Sequence, residues 1–215
     1  MPAVSKSPLG PHLLSAIPDF VLSACFFAAW IRPDLTSPNV LRWMLITMLL
    51  EFIVVHSAGF MGMAAFGGKF RGVRVSAVVG LGLFYTLFVV GFCLAFKTWW
   101  PLGTFWLLTL NRASLIVFGA APEGQEQNYV MTGWAASTLF YLLGCFATTV
   151  PPVPSWGFTP AVVAAMHLGG GGLWVDQPWR PIVFGGLYFG AVGLFEAFGY
   201  RIVIKPSSAS SSMWR

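Results

Sequence analysis

Residues 44–66 read MLITMLLEFIVVHSAGFMGMAAF. A helix needs about 20 apolar residues to cross a bilayer, and this run is long enough. Glu51 and His56 stand well inside its ends. A charge at that depth costs roughly 2.5–3.5 kcal/mol on insertion scales, so such groups face protein or water rather than lipid. The stretch therefore predicts a helix within a bundle that accommodates both groups.

The composition extends this to the whole chain. Of 215 residues, 57% are hydrophobic and 9% charged, and the mean hydropathy is +0.75. Soluble domains carry about 25% charged residues. Nine per cent cannot clothe a water-exposed surface of this size, so most of the surface faces lipid. The net charge of +5 points to the positive-inside bias of membrane loops rather than to nucleic acid. Cys25, Cys93 and Cys145 lie far apart within apolar runs. They read as small buried hydrophobes, with no disulfide framework and no metal spacing. The first apolar run starts near Pro11, is interrupted by Pro18 and Asp19, and lacks a small-residue cleavage site after Trp30. It reads as a retained helix rather than a signal peptide.

In chain order the spans are 11–31, 40–66, 75–96, 99–120, 130–150 and 181–204. RPDLTSPN (32–39) is a turn, GGKFRGVR (67–74) a basic loop, KTWWP (97–101) an interfacial turn and APEGQEQNY (121–129) a polar loop. The expected fold is all-α: a polytopic transmembrane bundle of six spanning helices, with a short interfacial or re-entrant helix near 160–168. A seventh span exists if 158–175 crosses. Gly169–Gly172 argue against it, because four consecutive glycines lose much backbone entropy in a helix. Residues 1–205 form one domain, and 206–215 form a Ser-rich tail.

With six spans, Lys6, Lys69, Arg71, Arg74, Arg201, Lys205 and Arg215 fall on the side of both termini. Arg32, Arg42, Lys97 and Arg180 fall opposite. The bias places both termini in the cytoplasm of a bacterial-type inner membrane.

Depth then sorts the polar groups. At 1.5 Å per residue, His56 lies roughly 21 Å below Arg42, Arg112 about 20 Å below Trp99, and Glu196 about 22 Å below Pro181. Asp19 rises about 12 Å from Pro11 to near that level, and Glu51 sits one to two turns further out. Glu51 and His56 are about 140° apart round their helix, so they do not share a face. Glu51 aligns with Thr47, Ala58, Gly62 and Ala65, a small-residue stripe that permits close helix approach. Gly186, Gly190, Gly193 and Ala197 form a second stripe, with Glu196 beside it.

Glu51, His56, Arg112, Glu196 and Asp19 are thus the candidates for a buried ion pair or an ion or proton path. Arg112 can neutralise one carboxylate, which leaves another acid in need of a proton or a partner. His56 is also a candidate axial ligand for a haem or pigment, with Gly59 and Gly62 leaving room for a macrocycle; His167 and His12 are second candidates. The chain has no Ser-His-Asp or HExxH pattern, and the glycine run lacks the Lys-Ser/Thr of a phosphate loop.

Three readings follow. The leading one is a non-catalytic subunit or assembly factor of a larger membrane complex, partnered in the bilayer by other subunits or by itself. It rests on the small-residue stripes, the uncharged third and fifth spans and the missing catalytic motifs. The alternatives are a small proton- or ion-coupled channel or transporter built on the Glu/His/Arg cluster, and a haem- or pigment-binding electron-transfer subunit.

Overall fold

The computed structural model describes residues 9–67, 70–118 and 125–199. Lys6, Lys69, Glu123, Arg201, Lys205, Arg215, the end of the sixth expected span and the tail 206–215 lie outside them, as does the side chain of His12. The described residues are helical, with no strand. In order they form α1 (Leu9–Ile31), a 3-10 turn (Pro33–Leu35), α2 (Pro38–Gly67), α3 (Arg71–Phe96), α4 (Trp100–Phe118), α5 (Gln125–Thr149), α6 (Pro160–Ala165), α7 (Leu173–Asp176), α8 (Trp179–Leu194) and a π turn (Phe195–Gly199).

Five of them, α1, α2, α3, α4 and α8, are long and apolar enough to cross a membrane. Six were expected. The remaining long helix, α5, begins with polar Gln125, Gln127 and Asn128 and is not among the five. Residues 158–175 hold only α6 and α7, of six and four residues. A 30 Å core needs far more, so this segment is no seventh span. Thr159 caps α6 by accepting from the Val162 N–H, with Pro160 at the first turn.

Two helix starts differ from the sequence reading. α3 begins at Arg71, inside the expected basic loop, and α5 begins at Gln125, inside the expected polar loop. Hydropathy marks where the chain meets lipid. A helix continues past that level wherever long polar side chains reach water from a helical backbone.

The apolar windows of α2 and α8 are 50% and 56% buried, against 22% in α1 and α3. α2 and α8 are therefore the inner helices. The glycines of α8 admit α1 closely. A methyl at Gly186 would stand 2.9 Å from the Phe27 ring, one at Gly190 3.0 Å from Ser23 Oγ, and one at Gly193 3.1 Å from Phe20. Gly185 is filled by the Phe26 ring. Ser23 Oγ donates to the Gly186 carbonyl at 2.7 Å. These pairs descend one helix while climbing the other, so α1 and α8 are antiparallel. On α2, Gly59 receives the Trp134 ring of α5, whose Nε1 donates to the Val55 carbonyl at 2.8 Å. Nothing lies within 4 Å of a methyl at Gly62, so that stripe residue does not seat a neighbouring helix.

Three arginines close the last turns of antiparallel neighbours. Arg42 of α2 donates to the Phe96 carbonyl of α3, and Arg74 of α3 to the Ala65 carbonyl of α2. Arg180 Nη1, at the start of α8, meets the carbonyls of Thr148 (2.7 Å), Thr149 (3.1 Å) and Pro151 (3.0 Å) at the end of α5. Final-turn carbonyls have no partner within their own helix, and the negative end of the helix dipole favours a cation there. Arg42 is thus more than an interface anchor. In the exposed turn after α1, Arg32 grips Asp34 with two hydrogen bonds (3.0 and 2.9 Å), which hold the Asp34 carboxyl below its usual range.

Two predictions follow from these contacts. Gly186→Leu forces the α1–α8 seam apart and costs about 1–3 kcal/mol, whereas Gly62→Leu, facing open space, leaves detergent unfolding curves within error of the parent. Arg180→Gln strands carbonyls at the end of α5 and lowers the unfolding midpoint in the same assay, by the equivalent of about 1–3 kcal/mol.

Candidate functional site

Glu51 lies in the middle of α2, on the side turned to α8. Its Oε1 accepts a 2.8 Å hydrogen bond from the Tyr188 hydroxyl of α8. Tyr188 is 3% exposed and belongs to an aromatic cluster. Its ring centroid lies 5.1 Å from Phe189, 5.6 Å from Tyr141 and 6.1 Å from Phe184. Tyr141, from α5, donates its hydroxyl to the Met48 carbonyl, one turn before Glu51, at 2.7 Å. Three helices thus converge on one carboxylate, and the group that meets it is a neutral O–H donor.

Two more acids lie along α1 and at the end of α8. Asp19 of α1 lies against Gly193, where a methyl would stand 3.3 Å from its Cβ. It is within electrostatic reach of both Glu196 and Glu51. Glu196 sits in the π turn that follows α8. Such turns are rare and recur at functional sites. Among the described residues, no cationic nitrogen lies within 4.0 Å of Asp19, Glu51 or Glu196; the ion pair there is the exposed Arg32–Asp34.

Among the described residues, Arg112 closes no contact ion pair. Its Nη1 stands 3.5 Å from Ser57 Oγ and 3.5 Å from Met61 Sδ on α2. It still acts on Glu51 through space. His56 is turned away from this cluster. Its Nδ1–H donates to the Phe52 carbonyl one turn back at 2.8 Å, and its ring lies 4.1 Å from the Phe52 ring, itself 44% exposed. The carbonyl can only accept, so the proton is on Nδ1. Of the room expected for a macrocycle beside His56, the notch at Gly59 is occupied by Trp134, and that at Gly62 is open. His167 lies in an exposed loop in a left-handed conformation (φ +46°). No group of three or more metal-binding side chains occurs among the described residues.

Compared with protein families, with curated proteins and with solved structures, the chain matches none. The structure places Asp19 within electrostatic reach of Glu51 and of Glu196, keeps Arg112 at longer range from Glu51, and leaves His56 outside. Tyr188 and Tyr141 are the members that the sequence did not single out. A signal existed: few hydroxyls occur in the sixth expected span, and Tyr188 lies on the turn between Gly185 and Gly193. A cavity of about 470 Å³ lies elsewhere, at the far end of α1 against the start of α2, lined by Cys25, Ala28, Val40 and Met44.

Tyr188→Phe removes the hydroxyl that meets Glu51 and keeps the ring packing. It lowers thermal stability by about 1–3 kcal/mol at neutral pH. Combining it with Glu51→Leu, which removes the orphaned acid, recovers most of that loss; a double-mutant cycle of unfolding midpoints reads the coupling.

Proposed function

We propose that this integral membrane protein binds and moves a small monovalent cation through the acids at the α1–α2–α8 junction. One observation carries the reading: the Glu51 carboxyl, in the middle of an apolar spanning helix, meets a tyrosine hydroxyl with the half-buried Asp19 within electrostatic reach, and no cationic nitrogen lies within 4.0 Å of either acid among the described residues. Ionised acids held away from water are strongly disfavoured unless compensated. A group so placed takes up a proton or an alkali cation and releases it when the surroundings change. In membrane helices such residues mark ion paths and proton relays. The aromatic rings around Tyr188 fit an occluded binding step rather than an open pore, which favours a cation-coupled transporter over a channel.

The alternation of helix directions supports six crossings, with α5 as the sixth, and an even number returns both termini to one side. The basic residues then favour a cytoplasmic location for both ends, in a bacterial-type inner membrane. A second reading, a subunit of a larger membrane complex or a homo-oligomer, is favoured by Arg112. Its half-buried guanidinium meets only a hydroxyl and a thioether among the described residues, and a partner's acid would complete it.

The test is charge movement in proteoliposomes on a solid-supported membrane, under imposed proton and sodium gradients. The parent protein gives a transient current, Glu51→Gln abolishes it, and His56→Ala retains it. An equal current from Glu51→Gln, in protein that elutes as a single folded species, overturns the reading. Co-purification of other subunits at fixed ratio, with no current from the isolated chain, moves the assignment to the complex.

A further inference from the structure

α1 and α2 are joined by the 3-10 turn, yet each packs mainly on other helices: α1 on α8, and α2 on α3, α5 and α8. Between the end of α1 and the start of α2 lies the cleft of about 470 Å³. Cys25 and Ala28 line one wall, Val40 and Met44 the other, and Arg32 and Leu35 the end where the helices are joined. Ligand sites commonly measure about 300–1,000 Å³ and are mostly apolar, with a few polar groups that fix orientation.

We propose that this cleft binds one phospholipid with an ethanolamine headgroup, an acyl chain lying between α1 and α2 and the headgroup on the Arg32–Asp34 pair. The site stands apart from the cation reading and needs only that α1 and α2 span the bilayer. Cys25, Ala28 and Val40 are exposed on two apolar spanning helices, so the cleft opens sideways toward hydrocarbon. It runs from Ile31 to Cys25 on α1 and from the start of α2 to Met44. Six residues of helix on each side give about 9 Å, more than half of a leaflet about 15 Å deep. A buried water needs two to four polar partners. Apart from Thr36 beside the turn, the lining side chains offer no oxygen. The chemistry of the walls therefore suits an acyl chain.

The headgroup follows from charge. Arg32 Nε and Nη2 donate to Asp34 at 3.0 and 2.9 Å, which leaves the N–H groups of Nη1 for another acceptor. The two side chains are 60% and 55% exposed. The pair is neutral in sum and presents both signs at the turn. A phosphodiester accepts from Arg32, and a primary ammonium donates to the Asp34 carboxylate. A headgroup that is only anionic meets Asp34 as a like charge, and a choline has no N–H to donate. Among the described residues, Arg32 is the charged side chain lining the cleft, and Asp34 is its partner.

The experiment incubates detergent-purified, full-length protein with equal amounts of dioleoyl phosphatidylethanolamine, phosphatidylcholine and phosphatidylglycerol, and counts retained lipids by native mass spectrometry. The expected result is one phosphatidylethanolamine per chain, favoured at least fivefold over either other lipid. Ala28→Trp fills the cleft from an exposed position and should lower retention at least tenfold. Arg32→Gln should reduce the headgroup preference below twofold. In parallel, phosphatidylethanolamine should slow alkylation of Cys25 by N-ethylmaleimide at least threefold, read on the Cys25 peptide. Equal lipid retention by the parent and Ala28→Trp, with matching unfolding transitions, overturns the site. Where Ala28→Trp does not fold, undiminished Cys25 alkylation in the lipid-treated parent overturns it instead. Equal retention of all three lipids overturns the headgroup assignment. A lipid-free dimer of the parent that Ala28→Trp dissociates overturns the proposal and makes the cleft a contact between two copies.

Discussion

The bundle depends on how closely α8 lets other helices approach. Inside a bilayer, lipid tails are as apolar as leucine, so helices associate through packing and polar contacts rather than through the hydrophobic effect. α8 meets this with a face of glycines, into which α1 inserts Phe20, Phe26 and Phe27. Its opposite side presents Phe184, which fills the space at Gly144 of α5, and Tyr188, which reaches Glu51 of α2. One helix thereby holds three others, and the acids of α1 and α2 come within electrostatic reach because both helices pack against it.

The arginines obey the same solvent. A carbonyl without a partner is expensive wherever water is scarce. Arg42, Arg74 and Arg180 each rise from the beginning of one helix and serve the end of an antiparallel neighbour. A cation at a helix start opposes the dipole of its own helix and favours that of an antiparallel neighbour. These residues therefore make sense only in pairs of helices. Three other buried hydroxyls stay local by contrast. Ser57, Thr109 and Thr148 return their protons to carbonyls three or four residues back in their own helices.

Much of the architecture was legible in the chain itself. Apolar length marks α1 to α4 and α8, and the glycine run between α6 and α7 marks a connection rather than a span. The faces were legible too: Glu51 and His56 stand five positions apart, and of the two only Glu51 faces the α8 tyrosine. What one strand of text does not carry is which helix sits opposite. Tyr188 becomes the partner of Glu51 only because α8 lies beside α2, and Gly59 becomes a socket only because α5 brings Trp134. Gly62, equally small and on the favoured stripe, faces nothing. Arg112 was expected to seek an acid, and it stops at Ser57 and Met61 on the flank of α2.

The Ser23–Gly186 bond joins residues 163 positions apart. During synthesis α1 and α2 enter the bilayer long before α8 is made. Until then Asp19 and Glu51 have no tyrosine and no glycine seam to meet, and each must be tolerated by lipid, by water or by a helper protein. Assembly of this bundle is therefore back-loaded. The early helices are held in a provisional arrangement, and the late one converts it into a closed interior.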